Sequence, residues 1–232
     1  MKATRRTMLA GSLAAAGLAT APGILHAQPR PSAARTLRVV VAGDLATYDP
    51  IWTTANLASY HGAMVYDTLL GVDAAGQPRP QMVKGWTISA DKLTYTFQLR
   101  DGLRFTDNTE VTTADVLPSI ERWSARSGSG QLLAERIRSI AAKNDTTFTI
   151  TLRERFPLAL DILASTSTPA LYVMRRREAE CDPVQKIDRI VGSGPFILNE
   201  GATRLGEHYV YDRNPNYRPR PEPRAAPPAA RW

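Results

Sequence analysis

Over residues 93–99 apolar and polar side chains alternate: Leu93, Tyr95, Phe97 and Leu99 against Thr94, Thr96 and Gln98. A period of two places each set on its own face, so the segment predicts a strand with one buried side. Asp101-Gly102 follows, a dipeptide suited to the positive φ of a tight turn, and Leu103 and Phe105 resume the alternation, which predicts a hairpin. Thr112 with Asp115 forms a capping-box pattern, and Val116, Ile120 and Trp123 recur at helical spacing. A helix is therefore expected from Thr113, and Pro118 predicts either a kink or a start delayed to Leu117. Residues 146–152 alternate Phe148, Ile150 and Leu152 with threonines and predict a second half-buried strand.

The rest of the chain is read from the same signals. Leu37, Val39, Val40 and Val41 form a short β-branched run that predicts a buried strand, closed by the turn chemistry of Asp49-Pro50. Residues 56–70 carry apolar positions three or four apart and predict a helix stopped by Gly71. Residues 72–86 read as a loop with turns at Ala75-Gly76 and Pro78 to Pro80. Residues 124–131 read as a flexible link, and 132–141 as an amphipathic helix with Leu133, Ile137 and Ile140 on one face. Pro157 suits the first position of a helix carrying Leu160, Ile162 and Leu163, and Gly192 to Leu198 passes from a glycine turn into a strand. The fold class this implies is mixed α and β.

Composition changes the picture at the two ends. The chain of 232 residues carries a formal charge of +7, which by itself points to nucleic acid or an anionic membrane. Lys2, Arg5 and Arg6 stand at the start without acidic neighbours, and the tail adds Arg220, Arg224 and Arg231 against Glu222, so the middle is close to neutral. Its densest basic cluster, Arg175 to Arg177, runs into Glu178 and Glu180 and reads as a solvated helix face. Residues 1–27 combine a charged start, a weakly apolar stretch and a small residue, Ala27, the pattern of an export signal. Arg5-Arg6 resembles the twin-arginine motif. The expected mature protein is periplasmic and monomeric. Residues 219–232, rich in Pro, Ala and Arg, are expected to be disordered. Cys181 is the only cysteine, so intrachain disulfides are excluded.

Several pieces in order carry a resemblance: TYDP, MVYDTLLG, QPRPQMVKGW, the block KLTYTFQLRDGLRFTDNTEVTTADV with SIERW, then FTITL, VGSGPF and DRNPNY. Together they resemble the extracellular solute-binding proteins of family 5, receptors of ABC importers for peptides, opines or nickel. Asn108, where the family prefers glycine, and Pro118 are departures. The resemblance covers about residues 37–217 and implies the type II periplasmic binding fold, with the first lobe and its inserted subdomain expected over residues 28–218. It implies a second lobe that is missing here, hence a truncated member, with a non-functional fragment as the alternative. The implied partners are a peptide or other small solute and a membrane permease.

Site expectations follow from the same resemblance. The loop after Asp49-Pro50 contacts ligand in the family, which singles out Thr54, Ala55 and Asn56; capping of the helix from Asn56 is the competing role. The link after SIERW faces the cleft, which adds Ser129, Gly130 and Gln131. No catalytic residue, metal or cofactor is expected, and a secreted hydrolase is the third class. The two histidines of the expected mature chain, His61 and His208, have no nearby cysteine or HxxxH pairing for a zinc site, and a Ser-His-Asp set built on His61 and Asp67 has no distinguishing spacing. Gly192-Ser193-Gly194 lacks the lysine and the strand-to-helix setting of a phosphate loop. Aromatic residues are not interleaved with Lys and Arg, so no nucleic-acid surface is expected.

Overall fold

The computed structural model describes residues 36–220. In chain order the elements are helix α1 (Asn56–Val65), strands β1 (Asp67–Thr68), β2 (Leu70–Val72), β3 (Pro78–Pro80), β4 (Val83–Ile88) and β5 (Thr94–Leu99). Helices α2 (Thr113–Arg126) and α3 (Gly128–Ala134) follow, then strands β6 (Ile137–Asn144) and β7 (Thr147–Leu152). Helix α4 (Ala159–Leu163), β8 (Tyr172–Val173), α5 (Arg176–Ala179), β9 (Phe196–Leu198) and β10 (Tyr211–Arg213) complete the set. Every pairing is antiparallel: a four-stranded sheet in the order β4-β5-β7-β6, and three two-stranded ribbons, β1-β8, β2-β3 and β9-β10.

The alternation seen in the sequence becomes the inner face of the large sheet. Phe97 and Phe148 sit opposite each other in register and stack with ring centroids 5.1 Å apart. Tyr95, Leu99, Ile150 and Leu152 are buried beside them, while the threonines fall on the other face. Helix α2 contributes Val116, Ile120 and Trp123 to the same core, and the Trp123 indole donates to the Pro169 carbonyl at 2.9 Å. Both halves of the capping box form: Asp115 Oδ2 accepts from the Thr112 amide at 2.9 Å. The helix starts at Thr113 and runs through Pro118, so the start is not delayed; the cap fixes the first turn, and the proline removes only one later hydrogen bond.

Several expectations are corrected. Residues 37–41 form no strand: Val40 is 99% exposed, and Leu37, Val39 and Val41 are exposed too. A β-branched run becomes a strand only where a neighbour takes its hydrogen bonds, and none of the described strands pairs with it. Helix α1 ends at Val65, five residues early, because Leu69 and Leu70 are buried within and beside the β1 and β2 ribbons. Residues 72–86 are not a loop; they hold β3 and most of β4, with Trp86 paired to Phe97. The strand β5 makes its hairpin with β4, not across Asp101-Gly102, where Gly102 turns the chain at φ +72; Leu103 and Phe105 go into the core and their backbones bond to Val111 and Thr109 across an isolated Arg104–Glu110 bridge, not to β5. The expected flexible link at 124–131 is helical except at Ser127, where α2 gives way to α3, and the expected helix at 132–141 is split between α3 and the edge strand β6. Asn108 has φ +70, a left-handed conformation that glycine adopts freely and asparagine tolerates, which accounts for its place at a glycine position. The expected export signal, with the twin-arginine pair, and nearly all of the expected disordered tail lie outside the described residues.

Candidate ligand-facing site

Asp49 and Arg122 are both fully buried, and Arg122 Nη2 lies 2.7 Å from Asp49 Oδ2. The carboxylate has four donors: Ile51 and Trp52 amides on Oδ1 at 3.0 and 3.1 Å, and Arg122 and the Ile187 amide on Oδ2. The guanidinium in turn donates to the carbonyls of Cys181, Asp182 and Gln185. Pro50 forces the chain to leave Asp49 in an extended conformation, so the two amides that follow curl back over its side chain. One ion pair thereby ties α2, the loop at 50–55 and the segment 181–187 together, and a buried pair is tolerated only when its remaining hydrogen-bonding positions are filled in this way.

The loop is fastened at three further points. Arg126 donates to the Trp52 carbonyl at 2.7 Å, Thr168 Oγ1 to the Thr54 carbonyl at 3.3 Å, and the Trp52 indole to the Val184 carbonyl at 2.9 Å. Lys186 Nζ sits 4.5 Å from the centre of the Trp52 ring. The backbone is held while the tips remain open: Thr54, Ala55 and Asn56 are exposed. Ala55 is the N-cap residue of α1, with no side-chain cap, so neither Thr54 nor Asn56 spends its side chain on capping.

The second predicted group behaves differently. Ser129 hydrogen-bonds the Ser127 hydroxyl at 3.0 Å, and Gln131 is exposed but turns back to the Ala125 carbonyl. Gly130 is buried, and a Cβ there would lie 2.9 Å from the Ser124 Cα, so its glycine serves the close turn between α2 and α3. Arg126 is the link that brings this turn beside the first loop. Sequence reading missed Arg122, Arg126, Thr168 and Lys186, because each meets the loop across a long stretch of chain; Trp52 was seen only as a member of the loop.

A half-open pocket of about 380 Å³ lies along α1, lined among others by Tyr60, Asp67, Gln81, Tyr172 and Tyr217. Burial pushes the Asp67 carboxyl up to about 6, only partly opposed by the Gln81 and Thr68 hydrogen bonds. His61, buried on α1 with Nδ1 2.9 Å from the Tyr211 hydroxyl, is pushed down by burial to about 4. The two have opposite signs. His61 binds its proton less readily folded than unfolded, so stability falls as pH drops from about 6.5 to about 4. Asp67 binds its proton more readily folded, so stability rises as pH drops from about 6 to about 4. Each effect amounts to about 3 kcal/mol at full extent, and in the native protein they largely offset. Urea melts from pH 7 to 4 are expected to expose the His61 loss in Asp67→Asn and the Asp67 gain in His61→Gln. Parallel pH profiles in both variants and the native chain would contradict this.

Residues 77–227 match the family model described as bacterial extracellular solute-binding proteins, family 5 Middle. A probable peptide ABC transporter periplasmic-binding protein, y4tO of Sinorhizobium fredii, is 40% identical over 223 residues, covering 96% of this chain and 41% of its own length. The glutathione-binding protein GsiB of Escherichia coli K12 is 30% identical over 173 residues, covering 72% of this chain and 32% of its own. Among solved structures, AgaA of A. tumefaciens R10 with agropinic acid superposes with a TM-score of 0.64 at 24% identity, covering 75% of this chain and 35% of that one. OppA of Haemophilus influenzae with a bound peptide gives 0.62 at 22% identity over 75% and 37%. The chain thus spans about two fifths or less of the relatives it matches, and the mixed α/β architecture is that of periplasmic binding proteins.

Proposed function

The chain belongs to the bacterial extracellular solute-binding proteins of family 5, and from that membership we propose that its described residues form one wall of the solute cleft of a periplasmic receptor serving a peptide-type ABC importer. The observation that carries this is the contrast at residues 51–56. A backbone fixed through a fully buried ion pair presents Thr54 and Asn56 side chains that cap nothing and stand exposed. Rigid mounting with free polar tips is what a pre-formed binding surface needs. The Ala55 backbone lies between them, and Ser129 and Gln131 flank it through the Arg126 contact; Gly130 shapes their turn.

The names of y4tO and GsiB support a peptide or a peptide-like solute as the ligand. A membrane permease is the partner, the periplasm the location, export by the twin-arginine route, and the receptor a monomer. The receptor makes and breaks no bonds; its work is to hold a solute and hand it on.

A single wall is expected to hold a peptide only at about millimolar strength, so the test is a heteronuclear NMR titration of the chain with di- to pentapeptides and glutathione. The expected result is saturable shifts concentrated on the amides of residues 52–56 and 129–131. Thr54→Ala and Asn56→Ala should each weaken binding several-fold without moving the unfolding midpoint. Shifts confined to other surfaces, or none at about 10 mM ligand, would overturn the proposal.

A further inference from the structure

The pocket along α1 holds a carboxylate whose needs are only half met. Asp67 is 6% exposed; its Oδ1 accepts from the Thr68 amide and from Gln81 Nε2, both at 2.9 Å, while among the described residues nothing donates to Oδ2. No ion pair among the described residues includes it, although the charges of Arg100 and Arg220 act on it, and Arg220 Nη1 stands 3.2 Å from where a Cβ on Gly71, also in the lining, would lie. At neutral pH this carboxylate is largely ionised even with its proton affinity raised by burial, so its Oδ2 carries charge at the pocket it helps to line.

The walls around it are aromatic. Tyr172 donates its hydroxyl to the Ser59 carbonyl at 3.0 Å, and the Tyr217 hydroxyl accepts from Gln81 Nε2 at 3.1 Å. The Tyr217 O–H is left free to donate, and both side chains add carbon surface to the lining. Tyr60, 57% exposed, stands at the rim, and Ala63 and Leu70 add apolar surface. A carboxylate in a lining with tyrosines and apolar carbon favours one ligand chemistry, a cation with a greasy body. A neutral solute leaves the carboxylate unpaired, and an anion is repelled.

We propose that this pocket binds a small organic cation, an alkylammonium group whose charge meets Asp67 Oδ2 and whose carbon surface lies against Tyr60, Tyr172 and Tyr217. At about 380 Å³ the space suits a ligand of a few to a dozen heavy atoms. The site stands whether or not residues 51–56 face a transported solute.

The test is a ligand-observed NMR titration of the full chain at pH 7.5 with choline and n-butylammonium, against 3,3-dimethylbutan-1-ol, the uncharged isostere of choline. At least one ammonium probe is expected to saturate, with the neutral isostere about tenfold weaker or worse. Asp67→Asn should abolish that preference without lowering the unfolding midpoint at this pH, and Tyr60→Ala, at an exposed position, should weaken the cation several-fold. Equal binding of charged and neutral probes, a preference that survives Asp67→Asn, or no saturable binding of either ammonium would overturn the proposal.

Discussion

Replacing Arg122 by methionine is expected to destabilise the fold by about 3–5 kcal/mol and to lower the thermal midpoint by about 10 °C. The side chain is fully buried and donates to Asp49 and three carbonyls. Removing it leaves a carboxylate in the interior with no counter-charge, and strips the partners from Cys181, Asp182 and Gln185. The loss exceeds what the pair itself contributes, because an unpaired buried charge is worse than none. Arg122→Met combined with Asp49→Ala should therefore recover part of the loss, although the Ile51, Trp52 and Ile187 amides then lack their acceptor. Urea denaturation followed by circular dichroism reads both. A single variant within about 1 kcal/mol of the native chain would show that the pair carries little.

The second large effect is expected at the glycine turn. A Cβ on Gly192 would lie 2.0 Å from the Val65 carbonyl oxygen, and one on Gly194 would lie 2.6 Å from the Tyr66 carbonyl oxygen. Both obstacles are backbone atoms at the end of α1, so no rotamer change relieves them. The turn is also fixed by hydrogen bonds: Thr106 donates to the Gly192 carbonyl, Gly194 to the Val65 carbonyl, and Asn214 Nδ2 to the Gly194 carbonyl, each at 2.8 Å. Gly192→Ala should cost about 3 kcal/mol or more, read as lost soluble yield and a lower urea midpoint. Gly85→Ala is the control. A Cβ at Gly85 meets nothing within 4 Å, and its effect is expected to stay within about 0.5 kcal/mol. A small effect at Gly192 would mean that the turn and α1 are not this close.

The same turn shows what could be read beforehand. Its glycines were legible as a turn, yet the reason for glycine, contact with a helix more than a hundred positions earlier, has no local signal. β5 and β7 were legible because each buries one face, so the period of two survives in Phe97 and Phe148. The strand β6 was not. As an edge strand it exposes Arg138, Lys143 and most of its length, and the remaining spacing of Leu133, Ile137 and Ile140 imitates a helix.

Residues 37–41 went wrong for the complementary reason. Their composition fits a strand, but strand formation depends on a neighbour that composition does not reveal. At the site, Asp49-Pro50 announced a turn and the family resemblance directed attention to Thr54 and Asn56. What holds that loop, an arginine 73 residues away on another element, was invisible to a local reading.

The central claim is that the Asp49 carboxylate, fixed by Arg122, makes the loop at 50–56 a rigid surface. Amide hydrogen exchange measures this directly at Ile51, Trp52 and Ile187, the three backbone donors to that carboxylate. Protection approaching that of the Phe97 and Phe148 amides in the sheet core is predicted, falling to loop-like rates in Arg122→Met under conditions where the sheet stays protected. Loop-like exchange at these three amides in the native chain would contradict the account.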